Sequence, residues 1–439
     1  MQLRRLVSVL SLGHVITAFQ THADTHEICL SSPLLQHEVH VEQPICAAHT
    51  IQPAQNFIQV EPELWDENDE RYIPAKDYKL SPPWKGPESC FTEFCIYSNK
   101  EIGGSGMVLI TAARQAYLAA KFPVPAQSSI EPTAYYEKKI PGKGIGLVAN
   151  RTIHKGEIIF RALPAMLIQA TPHMDLDPEV REDLYRQAVD KLPESTREKF
   201  MKQMGDTIYA KMEKNAFRLY TDGDKAHSAH LASYPDVSRF NHDCRPNLHY
   251  RLRNLTHITV AVRDIPAGEE LTISYIYGQE VKSERQSQLR AWGFECSCQQ
   301  CTLSEADSAA SDTRIRLIKE LEEEIESKMA SKDRGDAIRP EMGGKLVELY
   351  LAERLDTYLA PAFTRAALIY SMFGNEEKAR EFATQAAEAL VREYGPDARD
   401  YGSMKSLAED PKGHWSWGIK VVSGEGVGEG RNRTRGKGK

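Results

Sequence analysis

At 439 residues the chain is long enough for about two to three domains of ordinary size, and its 41% hydrophobic content supports a sizeable core and excludes general disorder. With 55 Lys and Arg against 62 Asp and Glu, the formal charge is −7. That balance excludes a general nucleic-acid binder, which needs a basic face, and suits a basic peptide partner.

The N-terminal stretch "MQLRRLVSVLSLGHVITAFQTHADT" has the layout of a secretory signal: basic Arg4 and Arg5, an apolar run from Leu6 to Phe19, and small Ala23. Gly13 and His14 interrupt that run, so residues 1–26 read as a signal-like or a disordered leader. Residues 27–132 read as an irregular N-terminal region, polar and Pro-punctuated as far as Lys85. In "WKGPESCFTEFCIYSN", Cys90 and Cys95 stand close together among aromatics. They suit either a local bridge or two buried small hydrophobes, and the redox state of Cys29 and Cys46 is equally open. No run of about 18 apolar residues occurs, so no ordinary membrane-spanning helix is expected.

From residue 133 to 278 the chain turns β-rich. "IGLVANRTIHKGEIIFRALPAMLI" and "LHYRLRNLTHITVAVRDIPAGEELTISYIYG" are β-branched and partly alternating, broken by turns. Between them, residues about 172–220 read as a helical insertion whose start, "DLDPEVREDLYRQAVDKL", carries acids near the helix N-terminus. Residues 279–305 hold a cysteine-rich segment. Residues 312–421 read as helical: Ile318, Leu321, Ile325 and Met329 recur at helical spacing, and "APAFTRAALIYSMFGNEEKAREFATQAAEALVREYGPDA" reads as helix, Gly-Asn corner, helix, like one tetratricopeptide unit. Residues 422–439 form a basic, Gly-rich tail expected to be disordered. The fold class expected is α+β.

Four short stretches carry chemistry. "GKGIGLVA" (142–149) sets glycines at a strand start, leaving backbone groups open to close approach, but it lacks the strand-to-helix setting of a phosphate loop. "RFNHDCRPN" (239–247) crowds Asn241, His242, Asp243, Cys244 and Arg245 ahead of Pro246. "GEELTISYIYG" (268–278) ends a strand with Tyr275 and Tyr277, which can equally be core residues. "WGFECSCQQC" (292–301) spaces Cys296, Cys298 and Cys301 as thiolate ligands, one short of the four that structural zinc takes. A reduced cluster without metal, or disulfides, remain the other readings of these thiols.

These four stretches, in this order, resemble the SET-domain protein-lysine methyltransferases with a post-SET zinc segment. The layout is most similar to fungal SET proteins related to the SET-and-MYND branch, although no dense Cys/His cluster of a MYND finger is seen. The resemblance implies a SET domain at 133–278, a post-SET zinc segment at 279–305, and the helical region behind it. It places Lys143, Gly144, Ile145 and Gly146 along S-adenosylmethionine, and Asn241 and His242 at that cofactor's amino-acid end and adenine. It makes Cys244 the fourth zinc ligand with Cys296, Cys298 and Cys301. Tyr275 becomes the catalytic tyrosine, also near the cofactor, while Tyr277, Trp292 and Phe294 become walls of the lysine channel. Where the family more often has Ser, this chain has Asp243.

The activity so implied is methyl transfer from S-adenosylmethionine to the ε-amine of lysine in a protein, histones among the candidates, with a role in chromatin regulation. The expected partner is that protein substrate, with no direct nucleic-acid site, no membrane and a monomeric state, in the nucleus or cytoplasm. Two other readings stand beside it. One is a catalytically silent SET-type scaffold, which intact Asn241, His242 and Tyr275 disfavour. The other is a secreted, disulfide-bonded protein, favoured by the leader and by N-x-T sequons at Asn150, Asn254 and Asn432, and disfavoured by thiolates that suit a reducing compartment.

Overall fold

The computed structural model describes residues 78–420 apart from 126–128, 131–133, 224–225, 291 and 331–337, with backbone alone at 129–130, 226 and 330. The leader at 1–26, Cys29, Cys46 and the tail at 422–439 lie outside the described residues. The fold is α+β.

In chain order, β1 (Lys85–Phe91), β2 (Phe94–Asn99) and β3 (Met107–Ala112) form an antiparallel meander, followed by α1 (Ala113–Lys121). Next come β4 (Ser129–Ile130), β5 (Tyr135–Ile140), β6 (Gly144–Ala149), β7 (Ile158–Ala162) and β8 (Met166–Gln169). Helices α2 (Ala170–Asp175), α3 (Pro178–Val189), α4 (Glu194–Met201) and α5 (Ile208–Asn215) make up the insertion. Then follow β9 (Ala216–Tyr220), β10 (Ala229–Ser233), β11 (Asn241–His242), β12 (Leu248–Arg253), β13 (Thr256–Ala261) and β14 (Glu270–Ile273). Among the described residues the last elements are α6 (Lys282–Arg290), α7 (Glu305–Ala330), α8 (Pro340–Ala352), α9 (Leu359–Met372), α10 (Glu376–Glu393) and α11 (Tyr401–Glu409).

The strands form three sheets, ordered β1-β2-β3-β8-β10-β9, β11-β14-β6-β5 and β12-β13-β7-β4. Three expectations change here. The region read as irregular supplies half of the largest sheet, because "FCIYSN" is buried throughout and "MVLITA" nearly so, and β3 pairs in parallel with β8. Strands buried on both faces read as continuous apolar runs without alternation, which hides them from a search for periodicity. The helical insertion stops at Asn215, not near 220. "AFRLY" alternates, burying Phe217 and Leu219, and pairs with β10 as β9. The C-terminal helices begin at Glu305 rather than 312, where the Ser304 hydroxyl accepts the Asp307 N–H at 3.1 Å and caps α7.

Other local readings hold. Asp177 accepts the Glu179 N–H at 3.0 Å and Pro178 opens α3. Between α9 and α10, Gly374 takes φ +71°, a conformation that favours glycine, and the Asn375 side chain caps α10 through Lys378 N–H at 3.0 Å. Cys90 and Cys95 are joined in a disulfide across the β1–β2 turn, so the bridge is the one of their two readings that is present. Among the described residues no helix is long and apolar enough to cross a membrane.

Candidate active site and thiol cluster

The four stretches singled out in the sequence meet around the sheet β11-β14-β6-β5. β11 lies parallel to β14, with Asn241 opposite Thr272, and β14 lies antiparallel to β6, with Glu270 opposite Val148. Asn247 fixes this crossing. Its Oδ1 accepts the Thr272 N–H at 2.9 Å and its Nδ2 donates to the Glu270 carbonyl at 2.8 Å, so one side chain replaces a strand partner.

Glu270, which the sequence did not flag, ties two predicted residues together. It accepts from Lys143 Nζ at 3.0 Å and from Asn241 Nδ2 at 2.8 Å. With its amide N–H so engaged, Asn241 presents Oδ1 as an acceptor. Gly146 is glycine because of the close approach: a Cβ there would stand 2.6 Å from Asn241 Nδ2 and 2.9 Å from Glu270 Oε1. Gly144 takes φ +78° with nothing within 4 Å of where its Cβ would be, and Ile145 between them is 41% exposed. β6 pairs with β5 along its whole length but with β14 only at Leu147 and Val148, so no strand pairs with residues 144–146 on the β14 side, and that edge is open backbone.

His242 is buried and both ring nitrogens are engaged. Nδ1 accepts the Tyr275 N–H at 3.0 Å, and Nε2 lies 3.3 Å from Cys244 Sγ. Burial pulls its pKa down to about 3, so the ring is neutral, accepts at Nδ1 and donates from Nε2 to sulfur. The imidazole thus links the backbone of Tyr275 to the thiol cluster.

Tyr275 stands beyond the end of β14, and its hydroxyl donates to the Phe240 carbonyl at 2.6 Å. Burial, with the charge of Glu270 adding to it, raises its pKa, so the phenol stays protonated at neutral pH. The ring packs 5.1 Å from Trp292 and 6.4 Å from Phe294, centroid to centroid. A small cleft opens here, lined among others by Lys214, Asn215, Phe217, Phe240, Tyr275 and Trp292. Trp292 has a buried indole N–H with no acceptor among the described residues. Phe217 and Phe240 were not singled out in the sequence. Phe217 was read as helical, and Phe240 lies inside "RFNHDCRPN" among the polar residues that drew attention.

The structure places Tyr277 elsewhere. The chain bends after Ile273, so Tyr275 and Tyr277 do not share a strand face. Tyr277 packs 5.3 Å from the ring of Tyr358 and bonds Gln279, toward the C-terminal helices and outside the residues lining the cleft. Tyr277 is therefore not a wall of the cleft that Tyr275 lines. Phe294 stays near Tyr275 but belongs to the apolar shell of the cysteines with Ile276 and Leu289.

The four thiols of Cys244, Cys296, Cys298 and Cys301 are buried, and their sulfurs all lie within 4.8 Å of one another, with Cys244 and Cys301 at 3.6 Å. A tetrahedron of sulfurs at about 2.3 Å from an ion has edges of about 3.8 Å, so this group has the chemistry and spacing to hold a metal. Hydrogen bonds shared among the crowded thiols raise the pKa of Cys244 and lower those of Cys298 and Cys301. Burial pushes the pKa of neighbouring Asp243 up to about 6, and its Oδ1 accepts the Arg245 N–H at 2.8 Å.

Cys244 belongs to the β11 loop, whereas the other three follow α6. The cluster therefore clamps the segment bearing Trp292 and Phe294 beside Tyr275. Arg245, also buried, turns the other way. It donates to the Cys244 carbonyl at 2.8 Å and the Gly278 carbonyl at 2.9 Å, and pairs with Glu353 of the C-terminal helices at 2.9 Å.

Comparison with known proteins agrees with this arrangement. A family model described as SET domain matches residues 144–276, the span from the open edge of β6 to just past Tyr275. Residues 144–276 of the chain thus form a SET domain. It is 28% identical over 293 residues to the histone-lysine N-methyltransferase set5 of Schizosaccharomyces pombe, covering 65% of this chain and 86% of that protein. It is 37% identical over 93 residues to the human histone-lysine N-methyltransferase SMYD3, covering 21% of this chain and 22% of that one. It is also 30% identical over 120 residues to the N-lysine methyltransferase SMYD2-B of Danio rerio, 27% of each chain. The match to the two vertebrate proteins is thus confined to about a quarter of their length, whereas the fission-yeast protein is spanned over most of it.

Proposed function

We propose that the protein transfers methyl groups from S-adenosylmethionine to the ε-amine of lysine in a protein substrate, and that zinc fills its four-cysteine cluster. One observation carries the reading: an open glycine edge, an amide acceptor at Asn241 and an aromatic cleft at Tyr275 converge on one sheet, held by a thiol clamp. Histones are among the substrates this reading admits, since a relative carries that activity in its name.

The residues present fit both groups. At the cofactor side, Gly146 keeps the β6 edge clear, and Asn241 Oδ1 is left to accept from an ammonium. S-adenosylmethionine, when bound, supplies a methyl group on a positively charged sulfur. The chain's own part is to prepare the amine. A lysine ammonium, with a pKa of about 10.4, has no lone pair, and enclosure by Phe217, Phe240, Tyr275 and Trp292 disfavours the charged form. The Tyr275 proton is committed to the Phe240 carbonyl, so its oxygen is left to accept an N–H of that amine and orient it. Among the described residues lining the cleft none is Asp, Glu or His, so the chain offers no carboxylate or imidazole base there.

Incubating the zinc-loaded protein and methyl donor with native nuclear and cytosolic proteins, then reading tryptic peptides by mass, tests the activity. Lysine-bearing peptides gaining methyl mass are expected. No transfer by soluble, zinc-loaded protein that binds the donor would instead favour the silent scaffold. Cofactor binding has its own test. Asn241→Ala removes an acceptor worth about 0.5–1.5 kcal/mol. Titration calorimetry should therefore show donor affinity weakened by about two- to tenfold, and an unchanged affinity would detach Asn241 from the cofactor.

The metal is tested by elemental analysis of reduced protein, with one zinc per chain expected. Cys298→Ser should lose most of it, because three thiolates remain where a closed structural site needs four. Proteolysis should then begin in the segment after Gly278. A zinc content unchanged by Cys298→Ser would remove this cysteine from the ligand set.

A further inference from the structure

Arg285, on α6, is the bulkiest of the fully buried side chains, at 1% exposure. Its Nη1 donates to the Glu280 carbonyl at 2.6 Å, and its Nε has no hydrogen-bond partner. A buried guanidinium is costly unless an anion compensates it. Arg245, also buried, meets that demand with Glu353. Arg285 does not: no carboxylate among the described residues pairs with it, and its helix lies on the cysteines instead, since the neighbouring Gln286 donates to the Cys296 carbonyl at 3.1 Å and accepts the Cys296 N–H at 3.3 Å, and Leu289 one turn on packs with the four thiols.

The sulfurs are therefore the anion. Four thiolates around a divalent ion leave two negative charges in excess, in a pocket that also contains Asp243 beside Cys298. The other donors to sulfur are neutral: His242 Nε2–H to Cys244 at 3.3 Å, and the Cys298 N–H to Cys296 at 3.4 Å. Lys143, whose charge also reaches this pocket, is held by Glu270.

We propose that Arg285 is the counter-cation of a zinc–tetrathiolate centre, a positioning residue that neutralises part of the excess charge and so retains the metal. The proposal rests on the zinc reading above. It explains why α6 turns its one buried cation inward beside Leu289, toward the cysteines, when the rest of "KSERQSQLR" is polar and largely exposed. Arg285 thereby stabilises the clamp that holds Trp292 near Tyr275, without itself reaching the cleft.

The test follows zinc release from the full chain to a chromogenic chelator, alongside unfolding by circular dichroism. Groups that hydrogen-bond metal ligands typically change metal affinity by about 10- to 100-fold. Arg285→Gln should release zinc at least about tenfold faster than the parent, whereas Arg285→Lys, which keeps the charge, should stay closer to the parent. Asp243→Asn removes an anion from the same pocket and should slow release, an effect in the opposite direction that packing damage would not give. Folded Arg285→Gln releasing zinc at the parent rate would overturn the proposal, as would equal loss from the Gln and Lys variants. If Arg285→Gln does not fold, the Lys and Asn variants decide: rapid loss from Arg285→Lys, or no slowing by Asp243→Asn, overturns it. A parent that holds no zinc overturns the metal reading and the proposal together, so the two failures are distinguishable.

Discussion

Tyr275→Phe is expected to lower methyl transfer about a hundredfold while leaving fold and zinc content in place. The substitution removes one oxygen and almost no volume, so the contacts with Trp292 and Phe294 persist. What is lost is the hydrogen bond to the Phe240 carbonyl, worth about 1 kcal/mol, and the oxygen left over for the incoming amine. Without that acceptor the amine is free to drift, and a misplacement of about 1 Å costs on the order of a hundredfold. The measurement is transfer of a labelled methyl group to a bulk protein extract, or to the enzyme itself, at matched unfolding temperature and zinc content. Parent-like transfer would make Tyr275 a packing residue. Tyr277 would not inherit the role, because it faces Tyr358.

Whether a residue's role could be read from the sequence depended on how local its cause is. "RFNHDCRPN" stood out because it concentrates polar side chains that neither a core nor a solvent loop needs, and these side chains prove to tie several parts of the fold together. Asn241 and Asn247 hold β14, His242 holds the Tyr275 backbone, Cys244 joins the thiols, and Arg245 anchors the C-terminal helices. The cysteine spacing was legible because metal ligation requires few residues at short intervals. The helix–corner–helix at α9 and α10 was legible from Gly374 and Asn375 alone.

Long-range partners were not legible. Glu270 is an ordinary acid in a strand until Lys143 and Asn241 approach it from elsewhere in the chain. Arg285 sits in a polar helix, and nothing in "KSERQSQLR" announces that one of its charges is buried. β2 and β3 were missed for a different reason. Strands covered on both faces have no alternation to detect, and the pairing of β3 with β8 joins segments far apart in the chain. Phe217 was misread because α5 runs directly into β9, with no loop to mark where the period changes from helix to strand.

Glu353→Ala should destabilise the protein by about 3–5 kcal/mol, among the largest single-residue effects this fold allows. Both Arg245 and Glu353 are 1% exposed at the side chain. Glu353 also accepts from Arg314 Nε at 2.7 Å and from Ser311 at 2.8 Å. Removing the carboxylate leaves the Arg245 guanidinium buried with only backbone carbonyls, those of Cys244, Gly278 and Glu353 itself, to compensate its charge. Denaturant unfolding checks the size, and a loss below about 1 kcal/mol would mean that water reaches the arginine and the pair is not a closed contact. The double variant Arg245→Met with Glu353→Leu should recover much of the loss, because a buried pair replaced by apolar residues of similar volume is often no less stable. That recovery separates the cost of an orphaned charge from the value of the pair. Arg245 holds the Cys244 and Gly278 carbonyls, at either end of the path through Tyr275. The double variant, which removes that side chain, should therefore shed zinc faster than the single variant at equal unfolding free energy. Equal rates would confine the Arg245–Glu353 contact to docking the helices.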